Sequence, residues 1–186
     1  GEEYGEVAPF LYFVHHGDTG LIEAVRKGRK EEFAAFGWKG EIPDPQDEDT
    51  FLRSRPDPAL RESGNHARLL ELHRELIRIR KTDPVLRRPD REGMEVVPFE
   101  KERALFILRR DGSARTAAVF HFGDVPAYLP LPLPGEGWEK VLDSADVHWG
   151  GPGEAAPERP DPRGGIVCAL RPNSFILLSN SGKENR

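Results

Sequence analysis

The sequence predicts an α+β chain in which helices and loops precede an all-β antiparallel sandwich. One observation is an amphipathic helix over Asn65–Lys81, where apolar residues recur at helical spacing. The second is a succession of about seven short strand-like segments from Met94 onward, with turn residues between them. The composition changes between these two parts, at Arg88–Gly93. We therefore expect a helix-and-loop part over residues 1–88 and a sandwich over residues 94–181.

The helix predicted over Asn65–Lys81 carries an apolar stripe that covers roughly half of its circumference. The stripe consists of Leu69, Leu70, Leu72, Leu76, Ile77 and Ile79. Asp83-Pro84 predicts the end of the helix, because the residue before a proline is pushed out of the α region. Part of the stripe can be buried on the sandwich, but no segment upstream supplies a large partner surface. His73 and Arg80 interrupt the stripe, and we interpret them as packing residues bonded to neighbouring carbonyls.

The segments before this helix are predicted to be short helices and a long loop. Leu21–Phe36 indicates two short helical pieces on either side of Gly28. Trp38–Arg61 is predicted to be a long irregular loop, because four prolines interrupt regular structure there. These prolines are Pro43, Pro45, Pro56 and Pro58.

The second half contains segments of strand length with turn residues between them. The predicted strands are Glu95–Phe99, Ala104–Arg109, Arg115–Phe122, Ala127–Leu133, Trp138–Leu142, Ile166–Leu170 and Ser174–Leu178. Asp111-Gly112 predicts a hairpin turn between the second and third of them. Gly150–Gly165 lacks large apolar residues and is predicted to be a mobile loop, and residues 181–186 are expected to fray.

The composition excludes several classes of protein. Charged residues make up 32% of the 186 residues with a net charge of −5, and both signs are interleaved, which argues against a nucleic-acid partner. The single cysteine, Cys168, excludes an internal disulfide framework and suits a reducing compartment. No apolar run approaches the roughly 20 residues that span a bilayer, and the acidic start does not resemble a signal peptide. We expect a cytoplasmic protein with no membrane partner.

Four sequence blocks resemble, in order and at compatible spacing, blocks of the α-amylase superfamily. They read GEEYGEVAPFLYFV, AVRKGRKEEF, PDPQDEDTF and LLELHRELIRIRKTDPVLRR, and the last is similar to the final helix of the superfamily's (β/α)₈ barrel. Together they closely resemble the C-terminal part of the malto-oligosyltrehalose trehalohydrolase family, from Gly1 to about Leu86. The resemblance implies that residues 1–88 are the last strand end, the rim loop over 38–61 and the final helix of that barrel.

The beginning of the chain fits this interpretation. The only methionine is Met94, and the chain begins at Gly1. A complete barrel takes about 250 residues, so a barrel and a sandwich together exceed this length. We expect the chain to be the tail of a longer protein whose upstream barrel portion is its partner.

The resemblance also implies a reaction. Members of the family hydrolyse the α-1,4 bond next to the terminal trehalose of maltooligosyl trehalose, releasing trehalose, and they need no organic cofactor. A retaining glycosidase uses two carboxyl groups about 5–5.5 Å apart. In the family these groups, and a third aspartate that holds the sugar, lie on earlier barrel strands. We therefore expect no catalytic residue in this chain, which by itself is predicted to be inactive.

The resemblance implies substrate-binding roles for six residues, namely Glu2, Glu3, Tyr4, His16, Asp18 and Trp38. The first three would face sugar hydroxyls at the end of the eighth barrel strand, and Trp38 would stack on a sugar ring. The alternatives are a solvated acidic loop, an aspartate that caps the next helix, and a tryptophan that anchors a loop. His15 stands where the family commonly has an aspartate. Adjacent histidines cannot readily share one ion without further ligands, so we expect no metal.

Two other functions stay open at the level of the sequence. One is that the chain is the C-terminal part of another α-amylase superfamily enzyme, such as a glycogen-branching or debranching enzyme. The other is a stand-alone carbohydrate-binding sandwich module, which would need its aromatic residues aligned on one exposed face. The candidates for such a face are Tyr128, Trp138 and Trp149.

Overall fold

The structure is a computed structural model that describes residues 1–88, 91–157 and 167–180. It divides into two units, Gly1–His66 and the chain from Ala67 onward, which we call the first unit and the sandwich unit. The division falls inside the central helix, and the predicted domain limits at 88 and 94 stay a prediction. The part of the predicted loop over 150–165 that follows residue 157 lies outside the described residues, as do Ile166 and the terminal residues 181–186.

The first unit begins with a 3₁₀ helix over Glu2–Tyr4 and continues into helix α1, Thr19–Ala35. Helix α1 is continuous, so the prediction of two pieces around Gly28 was wrong. A glycine inside a helix costs only about 1 kcal/mol relative to alanine. Side-chain pairs on both sides of it favour the helix, with Arg26 bonded to Glu23 and Arg29 bonded to Glu32, each at 2.7 Å.

The segment predicted to be an irregular loop contains two short helices. They are helix α2, Glu48–Arg53, and a 3₁₀ helix over Pro58–Glu62. The four prolines did not indicate these helices, because the six residues of α2 lie between prolines and contain none. The carboxylate of Asp47 accepts a hydrogen bond from the Asp49 amide at 3.0 Å and caps the start of α2. Pro58 begins the 3₁₀ helix, where a missing N–H has no cost.

The central helix confirms the sequence-based prediction. Helix α3 spans Gly64–Thr82, one residue longer at each end than predicted. It ends before Asp83, as the Asp-Pro pair indicated, and the short helix α4 follows over Pro84–Arg87. The carboxylate of Asp83 accepts hydrogen bonds from the amides of Val85 and Leu86 at 2.9 and 2.8 Å. The residue that ends one helix therefore begins the next.

The predicted β-sandwich is present in the second unit. Its strands are β1 Met94–Phe99, β2 Ala104–Asp111, β3 Ala114–His121, β4 Ala127–Pro130, β5 Glu139–Asp143, β6 Val167–Leu170 and β7 Ser174–Asn180. Over the described residues they form a five-stranded sheet, β1-β2-β3-β7-β5, and a two-stranded sheet, β4-β6, with antiparallel pairs throughout. The hairpin expected at Asp111-Gly112 connects β2 to β3, and Gly112 has the positive φ of 58° that such a turn favours. β4 is shorter than predicted, ending at Pro130.

The core of the sandwich unit lies between the inward faces of the two sheets. Residues alternate along β2, so that Phe106 and Leu108 are buried while Leu105 and Ile107 are only half-buried. The opposite face of the five-stranded sheet receives α3, where Ile79 packs with Leu142 and Leu177. Leu72 and Leu76 join this contact.

The apolar stripe of α3 is therefore only partly used. Leu72, Leu76 and Ile79 contact the sheet, as the sequence allowed, whereas Ile77 on the other side of the stripe is 54% exposed. His73 is half-buried and its Nδ1 lies 3.0 Å from the carbonyl oxygen of Leu69, which fits its interpretation as a packing residue. Arg80 is exposed. Among the described residues, none of the helices has the length and apolar content to cross a membrane.

Candidate functional site

The first unit contains a cleft of about 670 Å³ between the aromatic segment before α1 and the start of α2. The cleft is lined by Phe13, Val14, His15, Gln46, Asp47, Glu48 and Phe51. This volume falls within the roughly 300–1,000 Å³ typical of small-molecule sites. The lining combines aromatic rings with an imidazole, an amide and carboxylates. We call it the aromatic cleft.

Hydrogen bonds hold the two sides of the aromatic cleft together. The amide of Val14 donates to the carbonyl oxygen of Pro45 at 2.8 Å. The side-chain amide of Gln46 bonds both backbone groups of His16, accepting from its N–H at 3.1 Å and donating to its carbonyl oxygen at 2.9 Å. The Gln46 side chain therefore pairs with the His16 backbone as a neighbouring strand would, and these bonds attach the segment before α1 to the start of α2.

Asp44 in turn fixes the segment that carries Gln46. Its carboxylate accepts two hydrogen bonds from Nε of Arg26, at 2.9 and 3.1 Å, and lies 2.7 Å from a terminal nitrogen of that guanidinium. The same carboxylate accepts from the Gln46 amide at 3.0 Å, and the Thr50 hydroxyl donates to the Asp44 carbonyl oxygen at 2.6 Å. The hydrogen bond from Arg26 lowers the pKa of Asp44, which stays ionised at neutral pH.

Two aromatic rings give the cleft its apolar surface. The rings of Phe13 and Phe51 meet edge to face, with centroids 5.2 Å apart, and 42% and 44% of these residues stays exposed. Exposed His15, Asp47 and Glu48 surround them with hydrogen-bonding groups. Aromatic faces beside carboxylate and imidazole groups suit a ligand with apolar ring faces and hydroxyl edges, as a sugar has.

The structure places the three candidates at the start of the chain in different environments. Tyr4 is fully buried, with its hydroxyl donating to Glu6 at 2.9 Å and the guanidinium of Arg61 4.6 Å from its ring centre. Burial raises the pKa of this phenol. Glu3 lies 3.9 Å from Arg61, and a hydrogen bond to its own backbone amide lowers its pKa. Glu2 is exposed.

The other three candidates lie near the aromatic cleft in sequence, but they do not line it. His16 is half-buried and is bonded through its backbone to Gln46. Asp18 caps α1, where its carboxylate accepts from the Leu21 amide at 2.7 Å, so the capping alternative describes its contact. Trp38 is 58% exposed and packs edge to face on Phe33 at 6.0 Å. Their proposed contacts with a sugar stay predictions.

Sequence reasoning did not select Phe13, His15, Gln46 and Phe51, the residues that the fold brings together. The only signal for these residues was that they lie in or next to two blocks of the family resemblance, the aromatic run PFLYFV and the block PDPQDEDTF. Nothing in either block indicates that one packs on the other. Across residues 1–88, 91–157 and 167–180, no three His, Cys, Asp or Glu side chains are grouped so that they could hold a metal ion.

The aromatic residues proposed for a stand-alone sugar-binding face are separated in the sandwich unit. Trp138 is 1% exposed, with its indole N–H donating to the Pro134 carbonyl oxygen at 3.2 Å. Trp149 is half-buried against the cluster of Ile79 and Leu142, and only Tyr128 of the three is mainly exposed, at 67%. These three residues therefore do not form one exposed stacking surface, because Trp138 belongs to the core of the sandwich, and this counts against a stand-alone sugar-binding module.

Comparison with known proteins gives a consistent set of relatives. The chain is 48% identical over 96 residues to malto-oligosyltrehalose trehalohydrolase from Deinococcus radiodurans, covering 50% of the chain and 16% of the relative. It is 47% identical over 133 residues to the Rhizobium sp. (strain M-11) enzyme of the same name, covering 71% and 22%. The Arthrobacter ramosus enzyme is 35% identical over 162 residues, covering 83% and 26%. No family model matches the chain.

Solved structures agree with the fold. A structure described as a candidate alpha amylase from Salmonella typhimurium superposes with a TM-score of 0.71 at 26% identity, over 97% of this chain and 27% of that one. An isomaltulose synthase from Klebsiella sp. LX3 superposes with a TM-score of 0.55 at 16% identity, over 96% and 34%, and shows the fold alone. This chain thus spans about a quarter or less of the curated relatives named above.

Proposed function

We propose that this chain completes a glycosidase of trehalose biosynthesis, because it belongs to the malto-oligosyltrehalose trehalohydrolase family as a C-terminal portion. The reaction is hydrolysis of the α-1,4-glucosidic bond next to the terminal trehalose of maltooligosyl trehalose. The single observation that supports it is the identity of 47% over 133 residues to a trehalohydrolase, a match that covers 71% of the chain. The upstream barrel would carry the catalytic carboxylates, and the enzyme would work in the cytoplasm without an organic cofactor.

The part of the reaction that falls to this chain is substrate binding at the aromatic cleft. Phe13 and Phe51 offer ring edges and faces to a glucose unit, and exposed His15 and Glu48 offer hydrogen-bonding groups to its hydroxyls. The carboxylate of Asp47 is already bonded to the Asp49 amide. The cleft therefore suits the holding of a sugar, and the chemical step belongs to carboxyl groups outside this chain.

The reaction is tested with the enzyme that contains this chain, using maltooligosyl trehalose as substrate and chromatography of the products. We expect free trehalose and a malto-oligosaccharide shortened by the trehalose unit. Glucose chains without free trehalose would contradict the proposal and favour a branching or debranching enzyme of the same superfamily. The isolated 186-residue chain serves as the control that is expected to give no product.

The role of the aromatic cleft is tested with a matched pair of variants in the same enzyme. Phe51→Ser removes one ring from the cleft, whereas Phe36→Ser removes a ring that is 81% exposed and does not line it. We expect KM to rise about tenfold for Phe51→Ser, with kcat changed less than about twofold, since a lost binding contact acts mainly on KM. An unchanged KM for Phe51→Ser, or equal effects of the two substitutions, would show that the aromatic cleft does not bind the substrate.

A further inference from the structure

A second cleft lies in the sandwich unit, and the proposed function does not use it. It encloses about 430 Å³ between the turn that precedes β2 and the segment that connects β3 to β4. Its chemistry comes from Lys101, Glu102, Arg103, His121, Asp124 and Tyr128. We call it the Tyr128 cleft. The described residues that line it all belong to the sandwich unit.

Tyr128 forms an aromatic wall of this cleft. It stands on β4, where burial alternates, so that Ala127 and Leu129 are 8% and 0% exposed while Tyr128 is 67% exposed. The strand therefore fixes the Tyr128 backbone through two buried neighbours and leaves the phenol ring in solvent. An exposed, rigidly mounted tyrosine offers a flat surface for a ring and a hydroxyl for a hydrogen bond.

A bonded turn and an ion pair form the mouth. The amide of Arg103 donates to the Glu100 carbonyl oxygen at 3.1 Å, and its own carbonyl oxygen accepts from the Phe122 amide at 2.8 Å. The guanidinium of Arg103 lies 3.0 Å from the carboxylate of Asp124, and both side chains are well exposed. The backbone of the turn is thus attached to the end of β3, and the pair presents donors and acceptors side by side.

His121 contributes a buried imidazole to the lining of the cleft. It is 2% exposed, and its Nδ1 lies 2.7 Å from the carbonyl oxygen of Arg171. A carbonyl oxygen only accepts, so Nδ1 carries the hydrogen and Nε2 of the neutral ring is the acceptor. A methyl group added at Gly123 would lie 2.5 Å from Nε2, so glycine at that position keeps the space beside this nitrogen open.

The charges around the cleft select the class of ligand. Lys101 and Arg103 are balanced by Glu102 and Asp124, so the lining has no formal excess of either sign. A phosphate or another anion would gain little in such a setting. A neutral molecule with ring faces and many hydroxyl groups uses the tyrosine, the paired charges and the imidazole together.

We propose that the Tyr128 cleft is a second carbohydrate-binding site, which holds an α-1,4-linked glucan chain outside the aromatic cleft. One glucose ring stacks on Tyr128, and its hydroxyls bond to Arg103 and Asp124. The choice of the α-1,4 linkage rests on the proposed function, whereas the preference for a neutral oligosaccharide rests on the lining. Such a site would keep a long substrate attached to the enzyme between successive reactions.

The test is a titration of the 186-residue chain with maltoheptaose, in which binding is monitored through the NMR signals of the Tyr128 and His121 rings. We expect saturable shifts of both rings with a dissociation constant in the range of about 0.1–10 mM, typical of a weak single site. Tyr128→Ser is expected to weaken this binding at least about tenfold, and Tyr128→Phe, which keeps the ring, is expected to stay within about threefold of the unchanged chain. Phe122→Leu is the control outside the lining, since Phe122 is 55% exposed and stacks on Phe120.

Several outcomes would overturn the inference. They are unshifted Tyr128 and His121 signals at saturating maltoheptaose, undiminished binding by Tyr128→Ser, equal binding of the β-1,4-linked cellohexaose, or a comparable response to inorganic phosphate alone. Signals of Phe13 and His15 report on the aromatic cleft in the same titration. Shifts at Tyr128 without shifts at Phe13 would support this site while counting against the aromatic cleft, so the two proposals fail separately.

Discussion

The hydroxyl of Thr116 donates to both carboxylate oxygens of Asp83, at 3.0 and 3.2 Å, across 33 positions of the sequence. Thr116 lies on the central strand β3 and is 2% exposed, whereas Asp83 lies at the junction of α3 and α4. The same carboxylate caps α4. One aspartate therefore ends a helix, begins another and attaches both to the sheet.

This relationship predicts a stability difference between two threonines. Thr116→Val keeps the shape of the side chain but leaves the Asp83 carboxylate without its buried hydroxyl donor. We expect a loss of about 1.5–3 kcal/mol in the free energy of unfolding, the usual range for a hydrogen bond to a charged group. Thr82→Val is the control, because the Thr82 hydroxyl bonds only a local carbonyl at an exposed position and should change stability by less than about 0.5 kcal/mol. Urea unfolding measures the free energy of unfolding of both variants. Equal losses would contradict the conclusion that the bond between Thr116 and Asp83 stabilises the fold.

The carboxylate of Glu6 predicts a pH dependence of the first unit. It accepts hydrogen bonds from the amides of Ala8, Val7 and Asp57 and from the Tyr4 hydroxyl, at 2.7–2.9 Å. These bonds, the one from the Ala8 amide first, lower the pKa of Glu6 from 4.5 to about 2. A lowered pKa stabilises the fold above the unfolded value, and this stabilisation is lost as the pH falls from about 4.5 towards 2.

Thermal unfolding at a series of pH values from about 2 to 6 measures this effect. Glu6→Gln should lower the melting temperature at pH 6 and should flatten its decline between about pH 4.5 and 2, since the variant has no carboxylate to protonate. Glu2→Gln changes an exposed carboxylate in the 3₁₀ helix that precedes Glu6 and serves as the control. An unaltered pH profile for Glu6→Gln would show that these bonds do not stabilise the folded state.

The glycine inside α1 offers a stabilising substitution. Gly28 has open space where a side chain would begin, within a helix that continues on both sides. Gly28→Ala should raise the free energy of unfolding by about 0.5–1 kcal/mol, because alanine loses less backbone entropy in a helix. Gly37→Ala is the contrasting variant, since its φ of +71° disfavours any side chain and should give a loss. A stabilisation at Gly37, or a loss at Gly28, in chemical denaturation would contradict this account of the helix.

Cys168 is predicted to be unreactive in the folded chain. It is fully buried on β6, and burial raises the pKa of its thiol to about 12. The thiolate is the reactive form, so at pH 8 very little of it is present. A coloured disulfide reagent should react with the chain over hours under native conditions and within about a minute in denaturant. Reaction of the native chain within seconds would mean that β6 opens readily.

The regular elements of this chain could be predicted from its sequence. The period of Leu72, Leu76 and Ile79 defined α3 to within one residue at each end, because that signal repeats over several turns. Asp111-Gly112 placed the hairpin and hence the order of β2 and β3. The failures were also local. Gly28 led to the wrong prediction that α1 is interrupted, and the four prolines led to the wrong prediction that the segment containing α2 is irregular.

The functional clefts could not be predicted in this way. Phe13 and Phe51 stand 38 positions apart, and the hydrogen bonds from Val14 to Pro45 and between Gln46 and His16 bring their segments together. The family resemblance made Tyr4 a candidate for sugar binding, whereas only the fold shows that Tyr4 is buried with the guanidinium of Arg61 over its ring. The exposure of the aromatic residues could not be predicted either. Trp138 is buried in the core, whereas Tyr128 is exposed to solvent.

The sequence by itself determined the α+β class, the family resemblance, the central helix and the hairpin of β2 and β3. These features rest on interactions between residues a few positions apart, which a linear pattern records. Only the tertiary structure decided which side chains line the two clefts, which strands pair across the sandwich, and how Asp83 meets Thr116. Those contacts join residues tens of positions apart, and their free energy depends on burial and geometry that arise only once the chain has folded.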